Sequence, residues 1–285
     1  AIFYHNIGIL AQDQRQWTQA DAYYKKALQI CIEFEDRYSQ ARPYHQLGML
    51  AQEQRQWTQA DAYYRKALEI YIEFTFGLRQ AGTYHQLGRV AQEQRQWAQA
   101  ERYYQKALQI YIEFKDRYSQ GSTYHNLGII THVQKQWTQA ERYYQKALEI
   151  SIDFNYRYHQ VITYHNLGIF AQEQKQWHQA EDYYKKALDI SIESNDRYEQ
   201  ASTYHQLGKL AQDQTKWDIA RENILKALEI FIEFRDEHGA ANALGNLARL
   251  WQVTKDSEVL NEVVRILNID QDMARKLLDK DVKVQ

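Results

Sequence analysis

The 285 residues carry 35 Lys and Arg against 37 Asp and Glu, a formal net charge of −2, so there is no global basic field to recruit nucleic acid and no polybasic tail to hold a membrane. A single cysteine, Cys31, excludes an intrachain disulfide framework and a cysteine-rich zinc site; it suits a reducing compartment, so the expected location is cytoplasmic. One proline, few glycines and abundant Ala, Gln, Glu, Lys, Leu and Arg point to an all-α chain.

The chain repeats every 40 residues. Tyr4-His5-Asn6-Ile7-Gly8 returns as Tyr44-His45-Gln46-Leu47-Gly48, and then at residues 84, 124, 164 and 204. A fixed period of this size is the signature of a solenoid, which works through an extended surface and not through one pocket. Ala1 opens the sequence in phase with the repeat, so it reads as a piece of a longer polypeptide. Ile2, Phe3 and Ile7 arrive at once, and an uncapped apolar end open to self-association is expected there.

Residues 41–80 show the unit. Tyr44, Leu47, Gly48 and Ala51 follow the i, i+3, i+4, i+7 spacing of one helix face, which predicts helix A over roughly Arg42–Gln54. Trp57 follows a polar break. Ala60, Tyr64, Ala67, Leu68, Tyr71 and Phe74 then predict helix B over roughly Thr58–Phe74. Asp36, Asp116, Asp196 and Asp236 sit where an N-cap carboxylate can serve the next helix A. Asn155 and Asn195 suit a left-handed helix end. Gly48, Ala60 and Ala67 would let the two helices approach closely, with Trp57, Tyr64 and Leu68 filling the flanks. Of the paired tyrosines, such as Tyr23-Tyr24, one ring is expected between helices A and B and the other against a neighbouring repeat.

The register decays after residue 240. Leu247-Ala248 stands in for Leu-Gly, and helices are expected near Ala240–Val253, Ser257–Leu267 and Gln271–Asp279. The division is six repeats over 1–240, a degenerate seventh pair over 241–268, and a capping helix with its tail over 269–285.

Tyr-x2-Leu-Gly, then Trp, Ala, Tyr and Ala-Leu, resembles the tetratricopeptide repeat, whose pattern spans 34 residues. The longer unit is similar to those of kinesin light chains and of the sensor arms of bacterial signalling NTPases. Tyr replaces the first Trp, Ala51 and its equivalents replace a Tyr, and the terminal Pro is missing. The resemblance implies a right-handed α-solenoid of antiparallel helix pairs. It also implies that the second, fifth, sixth, ninth, twelfth and thirteenth positions of each repeat line a concave inner groove.

At the fifth position stand His5, His45, His85, His125, His165 and His205. At the sixth stand Asn6, Gln46, Gln86, Asn126, Asn166 and Gln206. Amides donate and accept together, so this ladder suits the backbone of an extended peptide. The second and ninth positions vary among the copies. Ile9, Arg42, Met49, Arg89, Ile129, Ile162, Ile169 and Lys209 are therefore the expected specificity residues. Their mixture suggests a ligand with hydrophobic anchors and acidic character. The Lys and Asn set of the family's carboxylate clamp is not present, which disfavours a ligand held by its C-terminal carboxylate in that way.

No Walker A, HExxH, GxSxG or CxxC pattern appears. Neighbouring helices pack about 8–10 Å apart and metal–nitrogen bonds are about 2 Å, so the histidine ladder is a poor metal site. Lys26, Lys66, Lys106, Lys146, Lys186 and Lys226 read as a solvated ladder on helix B. The expected function is a scaffold binding a protein or peptide, without enzymatic activity, cofactor, metal, nucleic acid or membrane. Two alternatives stay open: a sensor or autoinhibitory arm of a larger signalling protein, and a self-assembly module.

Overall fold

In the computed structural model, residues 1–279 are described, and fifteen helices account for nearly all of them. They are α1 (Ile2–Asp13), α2 (Trp17–Glu33), α3 (Arg37–Glu53), α4 (Trp57–Glu73), α5 (Gly77–Glu93), α6 (Trp97–Glu113), α7 (Arg117–Val133), α8 (Trp137–Asp153), α9 (Arg157–Glu173), α10 (Trp177–Glu193), α11 (Arg197–Asp213), α12 (Trp217–Glu233), α13 (Glu237–Thr254), α14 (Ser257–Leu267) and α15 (Gln271–Leu278). The odd helices α1 to α11 are the predicted helices A, and the even helices α2 to α12 the helices B. The chain is all-α and is built from antiparallel helix pairs. The C-terminal residues 280–285, the end of the expected tail, lie outside the described residues.

Helix A begins five residues earlier than its apolar stripe suggests, at Arg37 and not near Arg42. The reason lies in the cap. Asp36 accepts the Ser39 N–H at 3.0 Å, and Asp116, Asp196 and Asp236 repeat this at the starts of α7, α11 and α13. A carboxylate cap starts a helix one turn before any side chain has to reach the core. Phe76 and Tyr156 occupy the equivalent place before α5 and α9 and make no such bond.

The pairs also end alike. After α3, the Gln56 N–H reaches Ala51 O (2.8 Å) and the Arg55 N–H reaches Gln52 O (3.0 Å), with Arg55 left-handed at φ 57°. That is the paired-bond termination usually built on glycine. Here the left-handed residue is never glycine: Arg15, Arg95, Lys135 and Lys175 follow helices A, and Glu35, Thr75, Asn155 and Asn195 follow helices B.

By its internal contacts the chain divides into Ala1–Ile150 and Ser151–Gln285. In the first unit, Tyr24, Tyr64, Tyr104 and Tyr144 are buried between helices A and B. Each ring lies over the repeat's helix-A glycine: a Cβ built on Gly88 would sit 2.6 Å from the Tyr104 ring. Tyr63 and Tyr103, the second rings of their pairs, pack against the preceding repeat's cluster. In the second unit the same arrangement joins Gly168 to Tyr184 and Gly208 to Ile224. Beyond it, Leu247, Trp251, Val259, Leu260 and Val263 of α13 and α14 form one core with Ala274 and Leu278 of α15. Trp251 Nε1 donates to Asp279 Oδ1 at 2.8 Å and ties the last helix down. Met273 is 52 % exposed, so the buried residues of α15 are Ala274 and Leu278, with Leu277 half-buried.

Candidate functional site

Helix A places its fifth, sixth and twelfth positions along the seam with the next helix A. The fifth-position rings stand against the buried tyrosines of their own repeat, with centroids 5.3 Å apart for His45–Tyr64 and His85–Tyr104 and 5.7 Å for His165–Tyr184. His45, His85 and His205 also reach forward to the next helix A. Thr83 gives its hydroxyl proton to Arg79 O (2.8 Å), so His45 Nδ1, 3.2 Å from Thr83 Oγ1, acts as the donor there. Asn126 Nδ2 donates to His85 Nε2 (3.1 Å), and Asn246 Nδ2 to His205 Nε2 (2.7 Å). An amide N–H can bond only to an unprotonated ring nitrogen, so these two contacts require neutral His85 and His205.

The electrostatics agree. Burial lowers the pKa of His45, His85, His165 and His205 to about 4, with Arg79, Arg89, His205 and Lys209 respectively adding repulsion. His5 is lowered too, by burial and by Arg42. The imidazole ladder is therefore not the open groove lining that the resemblance implies. His125 is buried, and the other five rings are half-buried in the seam. His5 Nδ1, Gln46 Oε1 and His165 Nε2 are buried without a hydrogen-bond partner among the described residues.

The amides behave similarly. Gln46, Gln86, Asn126, Asn166 and Gln206 are half-buried, and only Asn6 is exposed. Gln86 Oε1 accepts from Arg89 Nη1 at 3.4 Å. At the twelfth position, Gln12, Gln52, Gln92 and Gln172 accept the buried tyrosine hydroxyls at 2.7–3.0 Å. Gln12 and Gln172 also donate to Glu53 and Asp213 of the following helix A.

Ile9, Met49 and Ile129 in the first unit, and Ile162, Ile169 and Lys209 in the second, keep part of their surface, while Arg42 and Arg89 are exposed. Of the positions that differ among the copies, the two arginines are thus exposed and the other six are half-buried, like most of the histidines and amides. The constant positions differ in use: His45, His85, Gln12 and Gln172 bond to the following helix A.

A second accessible feature went unread in the sequence. Ile32, Phe34 and Tyr38 form an exposed apolar rim at the turn from helix B into the next helix A. Ile72, Phe74 and Leu78 repeat it, as do Ile112, Phe114 and Tyr118; in the second unit the rim returns with Ile192 and Tyr198 and with Ile232 and Phe234. The signal was present: Ile70 and Ile72, two residues apart, cannot share a helix face. Ile70 is buried and Ile72 is 48 % exposed.

The model of the tetratricopeptide repeat matches residues 1–73, 79–153 and 159–216. The chain belongs to the tetratricopeptide repeat family. No curated protein matches it in sequence. Among solved structures it is similar to the apo form of RapI, at 18 % identity and a TM-score of 0.75 over 98 % of both chains. It is also similar to aspartyl phosphate phosphatase F from Bacillus subtilis, at 18 % identity and a TM-score of 0.70, over 99 % of this chain and 72 % of that one. A signal transduction ATPase from Pyrococcus horikoshii, a protein with a tetratricopeptide repeat sensor, matches at 16 % identity and a TM-score of 0.61, over 96 % of this chain and 40 % of that one. At these identities the likeness is one of fold. The fold is that of a protein-interaction scaffold, typically non-enzymatic. No described helix is long and apolar enough to cross a membrane.

Proposed function

We propose that the chain is a non-enzymatic scaffold that holds an extended protein or peptide segment along its helix-A face. The observation that carries this reading is the split between constant and variable positions. Repeats alike in their seams differ at Ile9, Arg42, Met49, Arg89, Ile129, Ile162, Ile169 and Lys209, where the arginines are exposed and the others keep part of their surface. At the exposed Arg42 and Arg89 packing does not require those differences, since an exposed side chain is only weakly constrained by the core. Apolar side chains alternating with Arg and Lys suit a segment with hydrophobic anchors and acidic groups. The half-buried histidines and amides form the inner wall, and their part is to fix the spacing of the accessible residues. A solved Rap protein complexed with competence and sporulation factor is similar in fold, at 17 % identity and a TM-score of 0.59, which fits a family use in partner binding.

The test is selection of displayed peptides on the intact chain, followed by affinity measurement. Met49→Ala with Ile129→Ala is expected to weaken the selected peptides at least tenfold, while Lys146→Ala on helix B leaves them unchanged. Equal affinity for all three proteins would refute the reading. The same face would serve a sensor arm of a larger signalling protein, the use named for the Pyrococcus protein of similar fold.

A further inference from the structure

In the first unit a cavity of about 170 Å³ opens where α1, α3 and the start of α5 meet. Its lining side chains include two guanidinium groups, Arg42 and Arg79, and no carboxylate. The other helix-A arginines of these turns are neutralised: Arg37 meets Glu73, Arg157 meets Glu193 and Arg197 meets Glu233. Arg42 and Arg79 form no ion pair among the described residues. Both lie near the same phenol, Tyr71, where their positive charges oppose the upward shift that burial gives its hydroxyl. Both side chains are exposed, so neither is there to fill the core.

The copies make the point sharper. The place of Arg42 is taken by Gly82, Ser122, Ile162 and Ser202, and that of Arg79 by Ser39, Ser119, His159 and Glu199. The cation pair therefore occurs once in the array. Pro43 and Phe76 line the same cavity, and both break the repeat as well. The proline stands inside α3, where Thr83, Thr123, Thr163 and Thr203 occupy the other copies. A proline there removes a helix hydrogen bond, a local cost that the other copies avoid. Phe76 stands where Asp36, Asp116, Asp196 and Asp236 cap other helices, so this position brings no carboxylate to the cavity. Substitutions from four positions thus converge on one cavity, and together they make it more cationic and more apolar.

We propose that this cavity binds a carboxylate carried on an apolar body, the two guanidiniums forking onto the oxygens and the Tyr71 and Phe76 rings receiving the apolar part. Paired N–H donors in a fixed fork match carboxylate geometry, and charge-assisted bonds are the stronger kind. The site lies on the helix-A face and deepens the scaffold reading, resting on it for the idea that the carboxylate arrives on a peptide. It differs from the family's clamp, whose Lys and Asn set is absent here.

Three blocked dipeptides test it by calorimetry on the intact chain: acetyl-Asp-Phe-amide, acetyl-Asn-Phe with a free C-terminus, and the neutral acetyl-Asn-Phe-amide. At least one acid is expected to bind tenfold or more tightly than the neutral peptide. The side-chain acid and the terminal acid tell the two sources of carboxylate apart. Arg42→Gln with Arg79→Gln is expected to erase the preference without altering the helical signal, and the paired Arg→Lys variant to keep only part of it. Equal binding of acid and neutral peptides to the wild-type chain overturns the proposal, whatever the variants do. So does a preference that survives the paired Gln variant in a folded protein. Dipeptides are too short to need the extended face, so failure of the display selection would leave this measurement standing on its own.

Discussion

A single Cβ decides whether a glycine in this chain is a packing device or a weak point. Gly82 and Gly128 both lie inside helices A, α5 and α7. A Cβ on Gly128 would fall 2.6 Å from the Tyr144 ring, whereas one on Gly82 would meet nothing closer than the Tyr111 hydroxyl at 3.8 Å. Alanine at Gly128 is therefore expected to force the buried ring aside and to destabilise by about 1–3 kcal/mol. Alanine at Gly82 is expected to stabilise by roughly 0.5–1 kcal/mol, because it restricts the unfolded chain at no steric cost. Thermal unfolding of the two variants checks the contrast, and shifts of the same sign would refute the assigned interface. The recurring Leu-Gly made Gly128 legible in the sequence, since only close approach explains a glycine repeated in mid-helix. His45 and His85 were legible as a ladder but not as a buried one. Periodicity says which face a residue is on; the Thr83 and Asn126 partners that close the seam come from the next repeat, 38 and 41 residues away.

At the scale of the helix, the ends are where local chemistry and backbone geometry disagree. Arg55 takes a left-handed conformation at φ 57°, as do Arg15 and Arg95 in the same turn of their repeats. For a residue with a Cβ that conformation costs about 1–2 kcal/mol relative to right-handed backbone. Arg55→Gly is expected to raise stability by up to about 1 kcal/mol, the gain reduced by the extra freedom that glycine brings to the unfolded chain. Chemical denaturation should show a higher midpoint with an unchanged slope. At the other end, Asp116→Ala removes the carboxylate that accepts the Ser119 N–H at 3.1 Å, and a loss of about 1 kcal/mol is expected. Tyr156→Asp would supply the missing cap to α9 and should act in the opposite direction. The four aspartate caps could be read directly from their spacing. The true start of each helix A could not be taken from the apolar stripe, because the first turn meets the core with few side chains. The apolar rim of Ile72, Phe74 and their copies was obscured for a related reason. Spacing put Phe74 on the apolar stripe of helix B, while burial depends on which side of the helix each residue leaves.

At the scale of the whole molecule, the same seam chemistry returns in both units, so its pH response should be cooperative within each. Burial holds His45 and His85 in the first unit and His165 and His205 in the second at pKa values of about 4, below the ordinary 6.5. The unfolded chain binds a proton at each ring near pH 6.5 and the folded chain does not. The stability these rings contribute is therefore complete above about pH 6.5 and is lost progressively as pH falls from there toward about 4. A ring whose pKa moves this far carries roughly 1–3 kcal/mol of the effect. The charges that face the rings, Arg79, Arg89, Lys209 and a second imidazole, all add to it in the same direction. Melting temperature measured from pH 7.5 down to pH 4.5 is expected to fall steeply below pH 6.5. His85→Gln should flatten the curve, since glutamine can accept from Asn126 without titrating. NMR titration of the ring protons supplies the decisive reading. Rings that titrate independently near 6.5 in the folded chain would place the histidines in solvent and remove this explanation of the seam. Rings that stay neutral until the fold is lost would make acidification a way to open the repeats from one another.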